Sequence, residues 1–144
     1  MNLPRSLTAI GACHCGAVRF ECDLDLSAGT SRCNCTFCKK NRYWMALVKE
    51  GDFRLLSGAE VLTDYRHTPA GMTEPFLHLT FCSRCGVRPF GRGGVLPQLG
   101  SAFYAVNVAS LDDVSDTELA QLPVSYVDGR NNDWNATPKE TRHL

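Results

Sequence analysis

The chain has no charge bias: Lys and Arg together number 15, and so do Asp and Glu. A basic nucleic-acid footprint is therefore missing at the level of the whole sequence. Arg84, Arg88 and Arg92 could gather into a local anion patch, although scattered arginines ordinarily solvate a surface. Long apolar runs are missing as well. The stretch Leu7–Ile10 is broken by Thr8, and Met1–Gly11 holds one basic residue, too little for a secretory signal. Nothing approaches the length of a membrane span, so a cytoplasmic protein is expected. Low-complexity tracts and fixed-period repeats are absent, and helical periodicity is weak. These absences leave a single globular domain over residues 1–144, with its core at about 8–128 and a loop-like tail beyond Asp128.

What remains is mostly short strands broken by Gly, Pro and Asp. Gly16–Leu24 alternates, with Val18, Phe20, Cys22 and Leu24 on one face. Trp44–Lys49 and Phe53–Leu56 read as strands joined by a turn through Glu50-Gly51-Asp52. Val61–His67 and Phe76–Phe81 read as another pair, and Ala102–Val108 as a last strand. One helical turn is expected after Cys35, and a short helix over Ser115–Leu122 capped by Ser115. The expected fold class is mainly β, a mixed or antiparallel assembly of short strands with little helix.

Against this ordinary background stand eight cysteines. Without an export signal they are expected to stay reduced, and Cys13/Cys15 and Cys33/Cys35 are too close in sequence to bridge each other comfortably. A disulfide framework is the weaker reading, and seven of the eight fall into metal-ligand spacings. Cys82-Ser83-Arg84-Cys85-Gly86 is a zinc-knuckle pattern: a tight turn aims two sulfurs at one point, and the glycine relieves the backbone behind them. Cys13-His14-Cys15-Gly16 is its natural partner from far along the chain. Four thiolates close a tetrahedral site and make it structural, with binding free energy that is part of the folding free energy.

Cys33-Asn34-Cys35-Thr36-Phe37-Cys38 places three further thiolates within six residues. Three protein ligands leave a position open to water, a substrate or an external thiol, which is the arrangement of a catalytic zinc. The alternative is a fourth protein ligand, from Cys22, His14, His67 or His78. Cys22 shares the parity of Val18 and Phe20 and so reads as a core residue. Lys39, Lys40 and Arg42 would offset the thiolates and attract a carboxylate, or simply solvate a helix end. Tyr43-Trp44 reads as core.

These residues resemble the glutathione-dependent formaldehyde-activating enzymes, a family that also includes centromere-protein-V-like domains. The resemblance lies in Gly11-x-Cys13-x-Cys15-Gly16-x-Val18, Cys33-x-Cys35-x-x-Cys38 and Phe81-Cys82-x-x-Cys85-Gly86, with Ala105–Val108 and Leu111-Asp112-Asp113 further on. It implies a β-tent, two β-layers meeting at a structural zinc held by Cys13, Cys15, Cys82 and Cys85. It also implies a second, weaker zinc at Cys33, Cys35 and Cys38. The implied activity is a carbon–sulfur lyase or synthase reaction, in which glutathione as co-substrate condenses with formaldehyde. The partners expected are then a small thiol and an aldehyde, with no nucleic acid and no membrane. Asn34 stands where many relatives carry His. A non-catalytic carrier of glutathione or its conjugates, or a zinc-stabilised interaction module, are the competing functions.

Overall fold

The computed structural model describes residues 6–144. Part of the N-terminal segment read above as lacking an export signal, Met1–Arg5, lies outside the described residues. No helix among those described is long and apolar enough to cross a membrane.

Two sheets make up the molecule. The smaller is antiparallel, with order β1 (Leu7–Ala12), β2 (Arg19–Leu24) and β5 (Phe53–Ser57). The larger has seven strands in the order β10 (Val124–Val127), β3 (Thr30–Cys33), β4 (Trp44–Lys49), β9 (Ser101–Asn107), β8 (Phe90–Leu96), β7 (Leu77–Cys82) and β6 (Leu62–His67). Among the described residues only β10 and β3 run parallel. The expected mainly-β architecture of two layers is therefore the observed one. The expected pair Val61–His67 and Phe76–Phe81 is present as β6 and β7, in register from Leu62 opposite Cys82 to His67 opposite Leu77. The strands on either side of Glu50-Gly51-Asp52 do not pair; that turn carries the chain from β4 in the large sheet to β5 in the small one.

The side-chain period of two along a strand decides which residues face the second sheet. Phe20 and Phe53 from the small sheet meet Phe90 and Tyr104 from the large one. The Phe53 and Tyr104 rings stack 3.9 Å apart at 7°, and Phe53 lies 4.7 Å from Phe90. With Val18, Cys22, Val106 and Val108, all fully buried, they form the main core between the layers. Cys22 belongs to this core as its parity requires, and burial pushes its thiol up to about 12.

The opposite, outer face of the large sheet is covered by α1 (Thr36–Asn41). Here Cys33, Cys38 and Tyr43 form a second, smaller core with Phe37, Met45, Ala105 and Val127 against them. The expected Ser115–Leu122 helix is α2 (Asp116–Ala120), closed at its start by a reciprocal Ser115–Glu118 capping box.

Candidate metal centre and its surroundings

The two cysteine groups lie on opposite sides of the large sheet. Cys13 and Cys15 sit in the turn between β1 and β2, and Cys82 and Cys85 at the turn from β7 to β8. Both turns are closed the same way. Gly16 N–H bonds the Cys13 carbonyl at 3.1 Å, and Gly86 N–H bonds that of Cys82 at 2.8 Å. Each glycine holds a left-handed φ, 80° and 77°, which a Cβ would oppose. The four sulfurs all lie within 4.8 Å of one another, joining the small sheet to the large one where the layers meet. Backbone N–H groups, first that of Cys15 and then that of Val87, stabilise the Cys85 thiolate and hold it down to about 6.

The second group is built by the end of β3 and the start of α1. Cys33 ends the strand, and Cys35 is the N-cap of the helix, its sulfur accepting from Cys38 N–H at 3.3 Å. Cys35 N–H in turn donates to the Cys33 sulfur at 3.4 Å. All three sulfurs lie within 4.8 Å of one another. The Cys33 and Cys38 thiols donating to it, with the helix N–H groups of Cys38 and Phe37 behind them, hold Cys35 down to about 2. Cys33 and Cys38 are buried whereas Cys35 is half-exposed, so the cluster opens on the Cys35 side. Two groups of soft thiolates this close together can hold metal ions.

None of the four possible extra ligands joins the second group. Cys22 is in the main core, His14 is exposed, and His78 bonds Asp64 at 2.7 Å on the inner face of the large sheet. His67, on β6, has its ring 6.3 Å from that of Tyr65. Among the described residues the cluster therefore offers three ligand atoms.

Lys39 and Lys40 lie exposed in the last turn of α1. Arg42 follows in a left-handed conformation that caps the helix, its N–H on the Cys38 and Lys39 carbonyls and its guanidinium 3.4 Å from the Leu144 carbonyl. Tyr43 is buried, as expected, and its hydroxyl donates to the Ala105 carbonyl at 2.6 Å. Trp44 packs against the main core beneath the Arg32 guanidinium.

The surroundings of this cluster include Asn34 and the loop-like tail beyond Asp128. The tail folds back over it. Val127 pairs with Cys33 in the parallel β10–β3 ladder, and Asn34 N–H bonds the Val127 carbonyl at 3.2 Å. The Asn34 side chain, 8% exposed, donates to Asp128 Oδ1 at 2.8 Å and accepts from Arg130 N–H at 2.9 Å. Arg88, read above with Arg84 and Arg92 as a local anion patch, packs beside α1. Its guanidinium lies 4.8 Å from the Phe37 ring centre and 5.2 Å from that of Phe81, and it donates to the Leu79 carbonyl. Among the described residues no carboxylate pairs with it. A lone arginine among short strands gives no sequence signal of such a position, whereas Asn34 is marked by standing between two cysteines of the cluster.

A family model described as glutathione-dependent formaldehyde-activating enzyme matches residues 8–127. The chain belongs to this family. A Halomonas elongata protein named as a candidate glutathione-dependent formaldehyde-activating enzyme is 37% identical over 79 residues, 52% of this chain and 50% of that one. The alignment thus spans about half the length of that relative. A crystal structure of a Rhodobacter sphaeroides protein is 32% identical, covers 81% of this chain and 99% of its own, and superposes with a TM-score of 0.63. The match to the family model stops at residue 127, so the turn that closes over Cys33 lies beyond it.

Proposed function

We propose that the chain is a zinc-dependent carbon–sulfur lyase or synthase that condenses a small thiol, glutathione, with formaldehyde or a related aldehyde. The observation that carries the reading is the second cysteine group: three converging thiolates, one of them half-exposed, with no fourth side-chain ligand among the described residues.

Cys13, Cys15, Cys82 and Cys85 would hold a structural zinc. A Zn–S bond of about 2.3 Å at a tetrahedral angle separates sulfurs by about 3.8 Å, and the Cys13–Cys15 and Cys15–Cys82 separations are both 3.7 Å. Cys33, Cys35 and Cys38 would hold the second zinc. That ion, when bound, would supply a Lewis acid that lowers the pKa of a fourth, incoming thiol. The protein's part is to place the open position. The Cys33 and Cys38 thiols, and behind them the helix N–H groups, favour the Cys35 thiolate, and the burial of Cys33 and Cys38 restricts approach to one side.

In the condensation the thiol sulfur forms a bond to the aldehyde carbon, the carbonyl π pair moves to oxygen, and the proton shed by the thiol ends on that oxygen. Lys39 and Lys40, exposed one turn from Cys35, are available to a glutathione carboxylate. Arg42 is less so, since it is turned toward Leu144.

The test is the exchange rate between free formaldehyde and its glutathione adduct, followed by NMR at trace and at stoichiometric protein. Catalysis accelerates exchange at trace levels. A change seen only at stoichiometric protein would mark a carrier and refute the enzymatic reading.

A further inference from the structure

The seventeen residues beyond the family match include one large exposed aromatic side chain, Trp134, 57% exposed. An exposed indole at a chain's tail needs no explanation by itself. Its position does.

The turn that carries it is heavily tied. Asp133 N–H bonds the Asp128 carbonyl at 3.0 Å, and Asp128 N–H bonds the Ala136 carbonyl at 3.1 Å. Asn132 takes a left-handed φ of 55°, and its side-chain oxygen accepts from the Trp134 indole N–H at 2.9 Å. Asn34, between two cysteines of the cluster, holds the base of the same turn through Asp128 and Arg130.

Gly129 shows what these restraints bring together. A Cβ there would overlap the Cys33 sulfur and come within 2.8 Å of the Trp134 ring edge. Gly129 does not adopt a positive φ, so the glycine serves space rather than backbone conformation. Sulfur and indole therefore converge on one gap no wider than a methyl group. The ring stands beside the thiolate cluster with more than half of its surface left to solvent.

We propose that Trp134 is a substrate-contacting residue of the three-cysteine site: its indole is the wall against which the carbon chain of the thiol ligand packs. The inference rests on the reading that a thiol binds there. An apolar ring on the Cys33 flank of the cluster would exclude water from that side of an incoming ligand, and give a sulfur-bound methylene a surface to bury. Water as the fourth ligand gains nothing from such a wall, so the ring favours a thiol with carbon behind the sulfur.

The experiment uses full-length protein with Zn2+ in the four-cysteine site and Co2+ in the three-cysteine site, so that the thiolate charge-transfer and visible bands report the second cluster alone. Wild type, Trp134→Phe and Trp134→Ala are titrated with glutathione. Both variants are expected to keep the cobalt bands. Trp134→Ala is expected to bind glutathione roughly tenfold more weakly, and Trp134→Phe close to wild type. Unchanged glutathione affinity in Trp134→Ala, with wild type responding, overturns the wall and leaves the proposed function standing. Loss of the cobalt bands in both variants also overturns it, because the ring would then hold the cluster rather than meet a ligand. Absence of any glutathione response in wild type defeats the proposed function itself, and the contact with it.

Discussion

Replacing Asn34 by Ala should open the tail without unfolding the domain. The side chain makes two hydrogen bonds in a nearly dry position, one to the Asp128 carboxylate and one from Arg130 N–H. A bond to a charged group contributes about 1.5–3 kcal/mol and a neutral one about 0.5–1.5 kcal/mol. Asp128 keeps two further bonds from the Asn131 amide, at 3.1 and 2.9 Å, so its charge is not stranded and the net loss falls to about 2 kcal/mol. As an opening equilibrium that is about 30-fold. Native-state hydrogen exchange reads it at Asn132 and Asp133, whose N–H groups bond Gly129 and Asp128 within the turn. Arg130 loses its acceptor directly and is not a fair reporter. Exchange at Asn132 and Asp133 should quicken about 30-fold, while Cys82 N–H, bonded to Val87 at 2.9 Å in the other knuckle, stays unchanged. Asn34→Asp should open the turn further than Asn34→Ala at neutral pH, since it sets a second carboxylate against Asp128. A change below threefold, or equal acceleration at Cys82, would refute the claim that Asn34 latches this turn locally.

Three other outcomes are expected. Gly129→Ala leaves the fold intact but crowds Cys33 at a cost of about 1–3 kcal/mol, weakening metal at the second cluster roughly 5- to 150-fold in chelator competition while the first is unaffected; equal affinity would contradict the close approach. Cys82→Ser removes the cooperative calorimetric transition, because the fully buried sulfur ties the two sheets, whereas Cys35→Ser keeps it within about 5 °C. Hydrogen bonds, first from Asn131 and then from Asn34, hold the Asp128 carboxyl below its ordinary range. Its contribution to tail closure is thus fully present above about pH 3.9 and lost as pH falls through the lower folded value. Trp134 emission should therefore hold steady from pH 7 to about 4 and shift only below, and Asp128→Asn should lack that acid limb.

The cysteine spacings were the most legible part of the sequence, since ligand geometry ties them to local turns: Gly16 and Gly86 close both knuckles as the pattern implies. The parity of Val18, Phe20 and Cys22 correctly placed their face in the core, because a half-buried strand leaves a period of two in its composition. Strands β1, β3, β8 and β10 went unread for physical reasons. Thr30–Cys33 and Val124–Val127 are four residues each, too short to show a period. Phe90–Leu96 contains three glycines and a register shift at Gly93/Val95, which disguise it as loop. The tail reads as loop-like from its sequence, and its placement comes from polar side chains reaching back across about a hundred residues, such as Asn34 to Arg130. Long-range polar ties of that kind leave no local pattern.

The central claim is that Cys33, Cys35 and Cys38 form a second metal site open to a thiol. Zinc per chain on anaerobically purified protein, with and without glutathione and beside Cys35→Ser, tests it most directly. Close to two zincs are predicted, falling to one in the variant, with the second better retained when glutathione is present. One zinc throughout, indifferent to Cys35→Ser and to glutathione, would contradict the account and leave only the four-cysteine site.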